Sequence, residues 1–165
     1  VDALLVTGET AIGKFPINVV KTLNQVINET EEATSLVRDS FPEDVSKTAD
    51  AISHAVCSIS LDLDIKVIMT MTHSGSTARM ISRYRPDAKI FALTPFNKIV
   101  RELQIVWGVN PIKVDNYDNV EAIPNLCFSV LKEFKLLKEG DKFVITGGVP
   151  MGTEGTTNYL SVQEL

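Results

Sequence analysis

The chain has 165 residues and carries 16 Lys+Arg against 21 Asp+Glu, which gives a net charge of −5 at pH 7. A hydrophobic fraction of 44% with 22% charged residues is typical of a folded domain and excludes a disordered chain. The acidic balance argues against a nucleic-acid partner, and no apolar stretch approaches the roughly 20 residues that a membrane span needs. Two cysteines and two histidines are too few for a disulfide framework or a zinc site, so we expect no metal site and a reducing compartment.

The N-terminal part of the chain predicts a strand, a helix and then a boundary. Residues 1–6 form a short apolar run that indicates a strand already under way, and because no initiator Met precedes it, we expect a piece of a longer protein. A helix is predicted over 18–30, which carries apolar residues at helical spacing. Residues 28–44 are polar and acidic, and this composition marks the best candidate for a domain boundary.

A second helix is predicted after this boundary. Residues 40–43, Ser-Phe-Pro-Glu, have the form of a capping box with a proline near the first helical position. The apolar residues that follow recur with gaps of four and three, and they are Val45, Ala49, Ile52, Val56, Ile59 and Leu63. His54 and Cys57 lie beside or away from this stripe, so we interpret them as helix-face residues without a catalytic role.

From residue 66 onward, strands and helices alternate along the chain. Strands are predicted over 66–72, 89–94, 111–115, 142–146 and 159–162, and helices over 75–83, 97–107 and 119–137. This alternation favours right-handed crossovers and a mainly parallel sheet. The last strand follows its predecessor without a helix, so we expect it to run antiparallel. Pro124 lies inside the last predicted helix and predicts a kink or an irregular first turn.

Two loops at the carboxyl edge of this sheet are candidates for a binding site. Residues 72–77, Thr-His-Ser-Gly-Ser-Thr, which we name the hydroxyl loop, lead from a strand into a helix, whose free N–H groups would favour a phosphate. Residues 147–158, which we name the glycine loop, carry four glycines in twelve residues. If their strands are parallel neighbours, the two loops form one anion site. The alternatives are that a serine only caps the helix and that the glycine loop is an exposed hairpin.

Motifs of other enzyme classes are absent from the sequence. It has no Gly-x-Gly-x-x-Gly fingerprint, no phosphate-binding P-loop and no Gly-x-Ser-x-Gly elbow. His73 and Ser74 are adjacent, and adjacent side chains rarely form a nucleophile–base pair. A local basic run is interpreted as a solvated helix face, with a subunit contact or anion steering as alternatives. Its members are Arg79, Arg83, Arg85 and Lys89.

Four segments, taken together, resemble one family. Residues 2–16 carry Thr-Gly-Glu-Thr-Ala-Ile-Gly-Lys-Phe-Pro, and residues 72–78 carry Thr-His-Ser-Gly-Ser-Thr-Ala. Residues 83–86 read Arg-Tyr-Arg-Pro, and residues 155–158 read Gly-Thr-Thr-Asn. In this order along essentially the whole chain, these segments resemble the pyruvate kinases.

The resemblance implies a fold and a division of the chain. It implies a three-layer α/β/α domain over 44–165, with a mixed, mainly parallel five-stranded sheet whose last strand is antiparallel. Residues 1–34 would be the last strand and helix of a catalytic (β/α)8 barrel, and 35–43 a linker. The residues that hold the metal and the substrate lie in earlier barrel strands of the family, so we expect no catalytic residue and no catalysis from these residues alone.

The resemblance also implies an activity and a set of partners. Full-length members transfer a phosphoryl group from phosphoenolpyruvate to ADP in glycolysis, with Mg²⁺ or Mn²⁺ and usually K⁺, as cytoplasmic homotetramers. No cofactor is expected in this piece itself. For the piece alone we expect a homo-oligomer, such as a dimer, because surfaces that sister subunits cover in the family are bare.

Three groups of site residues follow from the resemblance. The loop that grips an effector phosphate corresponds to Thr72, His73, Ser74, Gly75, Ser76 and Thr77. The flap that covers the effector corresponds to Gly152, Gly155, Thr156, Thr157 and Asn158. The border of the catalytic active site corresponds to Thr7, Gly8 and Glu9.

The expected effector is a phosphorylated small molecule. His73 and Ser76 stand where members that respond to fructose 1,6-bisphosphate carry basic residues. A sugar monophosphate, a nucleotide monophosphate or inorganic phosphate therefore fits better than a bisphosphate. Two alternative functions are a subunit-interaction module with no ligand site and a free-standing small α/β enzyme, although the sequence offers no nucleophile with an oriented base for the latter.

Overall fold

The N-terminal segment consists of two helices with exposed side chains. The computed structural model describes residues 2–33, 47–117, 119–150 and 156–165. Helix α1 spans Gly8–Ala11 and helix α2 spans Pro16–Ala33, which confirms and lengthens the helix expected over 18–30. Residues 2–7 are not paired as a strand, because a strand needs a neighbour and the described part of the chain offers none there. The capping box at 40–43 and the linker at 35–43 lie outside the described residues.

Strands and helices alternate through the rest of the chain. The helices are α3 (Thr48–Asp62), α4 (Ser76–Arg83), α5 (Asn97–Leu103) and α6 (Ile123–Glu133). The strands are β1 (Val67–Met71), β2 (Lys89–Thr94), β3 (Val109–Lys113), β4 (Lys142–Gly148) and β5 (Thr157–Glu164).

One mixed sheet joins the five strands in the order β3-β2-β1-β4-β5. Strand β1 is parallel to β2 on one side and to β4 on the other, and β2 is parallel to β3. Strand β5 runs antiparallel to β4. The expected mainly parallel sheet with an antiparallel last strand is therefore confirmed.

Apolar side chains fill both faces of the sheet, because successive strand residues point to opposite sides. On one face, Ile68 and Val144 pack with Val56 of α3, and α4 and α5 cover the same layer. On the other face, Met69 and Ile145 pack with residues of α6. Helices thus cover both faces, which confirms the three-layer α/β/α architecture.

The bounds of β3 differ from the expected ones, whereas the start of α6 agrees with expectation. The third strand spans Val109–Lys113, two residues earlier than expected, and includes Pro111, which an outer strand tolerates. Pro124 lies in the first turn of α6, and a 3₁₀ turn at Val120–Ala122 precedes it, which confirms the irregular start.

None of the helices in the described ranges combines the length and the apolar character needed to cross a membrane.

Candidate functional site

The sheet brings the hydroxyl loop and the glycine loop to the same edge. Strands β1 and β4 are parallel neighbours, with Ile68 opposite Val144 and Thr70 opposite Thr146. Both strands therefore end at the same edge, where ligands bind in open α/β sheets. The hydroxyl loop and the glycine loop therefore follow neighbouring parallel strands at one edge of the sheet, as the sequence predicted.

The hydroxyl loop is held in a fixed conformation by its own residues. The N–H group of Thr72 donates to the carbonyl of Leu93 at 3.0 Å, which ties the loop to β2. The hydroxyl of Thr72 accepts from the N–H of Gly75 at 2.8 Å. Gly75 has a φ of +81°, which favours glycine, and a Cβ at that position would make a tight contact of 3.1 Å with Cδ2 of Leu103.

The start of α4 has no side-chain cap. Gly75 is the N-cap residue, and no side chain caps this helix, so neither Ser74 nor Ser76 has the capping role that was the alternative interpretation. The backbone N–H of Arg79 donates to the carbonyl of Gly75 at 3.1 Å, which is the first hydrogen bond of the helix. The N–H groups before it have no acceptor within the helix, and they lie at its positive end.

The glycine loop contacts the hydroxyl loop through two threonines. The hydroxyl groups of Thr77 and Thr157 are 2.8 Å apart, and both residues are buried. Asn158 accepts from the N–H of Val149 at 2.8 Å and donates to its carbonyl at 2.6 Å, which closes the neck of the loop.

Close packing at this neck requires a glycine. A Cβ on Gly148 would lie 2.7 Å from the carbonyl oxygen of Thr156, so the two arms of the loop approach too closely for a larger residue. Gly152 and Gly155, which belong to the expected flap, lie outside the described residues.

An aromatic group next to the hydroxyl loop did not emerge from the sequence. The ring of His73 is 5.6 Å from that of Phe96 and 5.3 Å from that of Tyr117. Tyr117 donates to the carbonyl of Leu93 at 3.4 Å, and burial raises the pKa of its phenol. These residues follow two other strands, so only the assembled sheet edge reveals the group.

The basic run is divided among separate ion pairs. Arg79 lies 3.5 Å from Glu102 of α5, and Arg83 lies 3.3 Å from Asp50 of α3. Both arginine side chains are partly exposed, and each joins α4 to a neighbouring helix. Such pairs contribute little to stability, about 0–1 kcal/mol each.

The remaining candidates take no part in this edge of the sheet. Thr7 begins α1, where its carbonyl accepts from the N–H of Ala11 at 2.8 Å, and Gly8 and Glu9 are exposed on the first turn. Burial raises the pKa of the Cys57 and Cys127 thiols to about 12, so neither is a thiolate nucleophile at neutral pH.

Comparison with known proteins gives a consistent result. The family model described as pyruvate kinase, alpha/beta domain, matches residues 50–163. A pyruvate kinase of Clostridium acetobutylicum is 35% identical over 98% of this chain, and one of Staphylococcus epidermidis is 38% identical over 98%. A crystal structure of a Cryptosporidium parvum pyruvate kinase superposes with a TM-score of 0.81 at 28% identity and covers 96% of this chain.

The matched proteins are much longer than this chain. It spans 35% of the Clostridium acetobutylicum relative, 28% of the Staphylococcus epidermidis relative and 32% of the Cryptosporidium parvum protein. The agreement covers the α/β domain, with its five strands, and extends over the N-terminal segment. The chain therefore belongs to the pyruvate kinase family and contains its C-terminal α/β domain.

Proposed function

We propose that the chain is the regulatory and oligomerisation part of a cytoplasmic glycolytic pyruvate kinase. The full-length enzyme would transfer a phosphoryl group from phosphoenolpyruvate to ADP. The relatives named above support this proposal, and one Cryptosporidium parvum pyruvate kinase structure holds ADP. The reacting groups would belong to the earlier barrel strands of the full-length enzyme.

The divalent cation and K⁺ of the full-length enzyme would be bound by residues of its earlier barrel strands. Among the described residues, no group of three His, Cys, Asp or Glu side chains could hold a metal ion. We assign no catalytic step to the residues of this chain. Thr7, Gly8 and Glu9 would at most border the active site. A coupled lactate dehydrogenase assay on the purified chain should therefore give no turnover, and clear turnover would contradict this part of the proposal.

The regulatory role depends on an anion site between the two loops. The hydrogen bond between Thr77 and Thr157 is the observation that carries it, because it joins the first turn of α4 to the base of the flap. A phosphate at the start of α4, beneath the flap, would meet free N–H groups, a positive helix end and hydroxyl donors. Gly152, Gly155, Thr156 and Asn158 would complete the cover.

The ligand would be a phosphate monoester or inorganic phosphate. The hydroxyl loop carries no lysine or arginine, since His73 and Ser76 occupy the positions that are basic in bisphosphate-responsive members. Backbone N–H groups and hydroxyls alone suit one phosphate better than two. The binding free energy then comes from hydrogen bonds to a single dianion, which are stronger than neutral ones.

Thermal shift and calorimetry with defined probes test this site. Adenosine monophosphate, a hexose monophosphate and inorganic phosphate are each titrated into the chain. At a hundredfold excess over Kd, a bound probe should add about 2.7 kcal/mol to the free energy of unfolding. Replacing Thr72 and Ser74 together by alanine should abolish the response, whereas Ser129→Ala, an exposed serine on α6, should retain it. No response to any probe in the unaltered chain would refute the site.

A subunit-interaction role without a ligand is the second candidate. The observation that favours it is the position of β5 at the outside of the sheet, where one backbone edge is unpaired within the five-stranded sheet. Sedimentation of the chain would give a dimer or larger assembly. An assembly of unchanged size in the Thr72 and Ser74 double variant would separate oligomerisation from ligand binding.

A further inference from the structure

The side chain of Arg79 lies against the start of α4. Arg79 is the fourth residue of this helix, and helical side chains lean back toward the N-terminus of their helix. A Cβ placed on Gly75 would lie 3.4 Å from Nη1 of Arg79, so this end of the guanidinium lies beside the backbone of the hydroxyl loop. The loop has no lysine or arginine of its own, and Arg79 therefore brings a full positive charge to it.

One nitrogen of this guanidinium lacks a partner in the described part of the chain. Although the Arg79 side chain as a whole is 41% exposed, its Nη1 atom is buried and donates to no acceptor there. Buried polar groups in proteins are almost always paired, and a buried nitrogen of a charged group is costly to leave unpaired. The oxygens of a phosphate at the hydroxyl loop would be suitable acceptors, because a guanidinium can donate two parallel N–H groups to them.

The other end of the guanidinium is only loosely paired. Nη2 of Arg79 lies 3.5 Å from Oε2 of Glu102 on α5, which is long for a charge-assisted hydrogen bond. The Glu102 side chain is also 41% exposed, and its other carboxylate oxygen lies 3.8 Å from Nζ of Lys98. A partly exposed ion pair of this length contributes little to stability. Arg79 can therefore exchange this contact for a stronger one at small cost.

We propose that Arg79 is the cation of the phosphate site and that Glu102 competes with the phosphate for it. The inference rests on the anion site proposed above, to which it adds a ligand residue and an internal competitor. A phosphate at the start of α4 would accept from both Nη1 and Nη2 and would replace the weak contact with Glu102. Of the interpretations of the basic run, the one that concerns anions then applies to Arg79.

The two partners of this ion pair should change phosphate binding in opposite directions. Calorimetric titration of the whole chain with inorganic phosphate gives the Kd of each variant. Arg79→Gln loses charge-assisted hydrogen bonds to the phosphate and should raise the Kd about tenfold. Glu102→Gln frees the guanidinium and should lower the Kd about threefold. If the pair only joined α4 to α5, the two variants would shift the Kd in the same direction or not at all, and that result would overturn the proposal.

A double variant shows whether Glu102 acts through Arg79. In the Arg79→Gln background, Glu102→Gln should change the Kd by less than about 1.5-fold, because no guanidinium is left to free. Lys98→Gln removes the other cation beside Glu102 and should leave the Kd within about twofold of the unaltered value. An equal gain from Glu102→Gln in both backgrounds would mean that the carboxylate repels the anion directly, and it would contradict the competition.

A matched arginine and the dependence on salt keep the test specific. Arg83→Gln removes the same charge from the last turn of α4, where the arginine pairs with Asp50, and should raise the Kd by less than about twofold. Raising the salt from about 0.05 to 0.5 M should weaken binding less steeply in Arg79→Gln than in the unaltered chain, because one attracting charge is gone. The urea midpoints of all variants without phosphate should stay alike, which shows that the variants are folded.

The same titrations separate the role of Arg79 from the site itself. Phosphate binding that is lost in the Thr72 and Ser74 double variant but unchanged in Arg79→Gln would keep the proposed site and exclude Arg79 from it. No binding of phosphate to the unaltered chain would overturn both.

Discussion

The hydrogen bond between Thr77 and Thr157 gives the sharpest test of the site's geometry. Its oxygens are 2.8 Å apart, and the two residues are 6% and 2% exposed. Thr77→Val keeps the shape of the side chain but leaves the Thr157 hydroxyl without its threonine partner. An unsatisfied buried polar group costs about 1–3 kcal/mol. Since 1 kcal/mol shifts the Tm by about 2–4 °C in a domain of this size, the single variant should lose about 2–12 °C.

The double variant decides whether the two hydroxyls act as a pair. With valine at both positions no hydroxyl is left unsatisfied, so the double variant should lose less stability than the sum of the single variants, by about 1–2 kcal/mol. Urea unfolding of the four proteins of the cycle measures this difference. Thr30→Val, at an exposed position of α2, serves as a control and should change the free energy of unfolding by less than about 0.5 kcal/mol. Losses that add within about 0.5 kcal/mol would refute the pairing.

Three further outcomes concern the neck of the glycine loop, the cysteines and the core. Gly148→Ala places a Cβ 2.7 Å from the carbonyl oxygen of Thr156 and should lower the free energy of unfolding by about 1–3 kcal/mol in urea titrations. Burial raises the pKa of the Cys57 and Cys127 thiols from the ordinary 9.0 to about 12. The free energy of unfolding therefore keeps the full contribution of the two neutral thiols below pH 9, and it falls as the pH rises from 9 towards 12. A thiol reagent at pH 8 should label both only after unfolding, and rapid labelling of the native chain would contradict their burial. Phe143→Ala removes a side chain with 0% exposure and should cost about 3–5 kcal/mol, measured by the same unfolding assay.

The alternation of strands and helices was readable from the sequence because hydrophobic periodicity is a local signal. The parallel helix-linked units and the antiparallel β5 followed from connection lengths alone. The order of the strands did not follow, since β1 lies between β2 and β4, which are far apart along the chain. Strand β5 is longer than expected because its pairing with β4, and not its own apolar pattern, sets its ends.

The candidate site was predictable only where its residues are close together in the sequence. The hydroxyl loop is a local motif, and its composition indicates a phosphate. The partner hydroxyls Thr77 and Thr157 lie 80 positions apart, and the rings around His73 come from Phe96 and Tyr117, so only the folded chain brings them together. The contact of Arg85 with Asp2 crosses 83 positions and gave no sequence signal beyond a basic run.

The central claim is that the hydroxyl loop and the glycine loop form one phosphate site. A crystal structure of the chain soaked with adenosine monophosphate tests it most directly. The claim predicts a phosphate group with oxygens about 3 Å from the N–H groups of Ser76 and Thr77, under the loop that ends at Asn158. A phosphate bound elsewhere on the chain, or a start of α4 filled by the protein's own side chains, would contradict it.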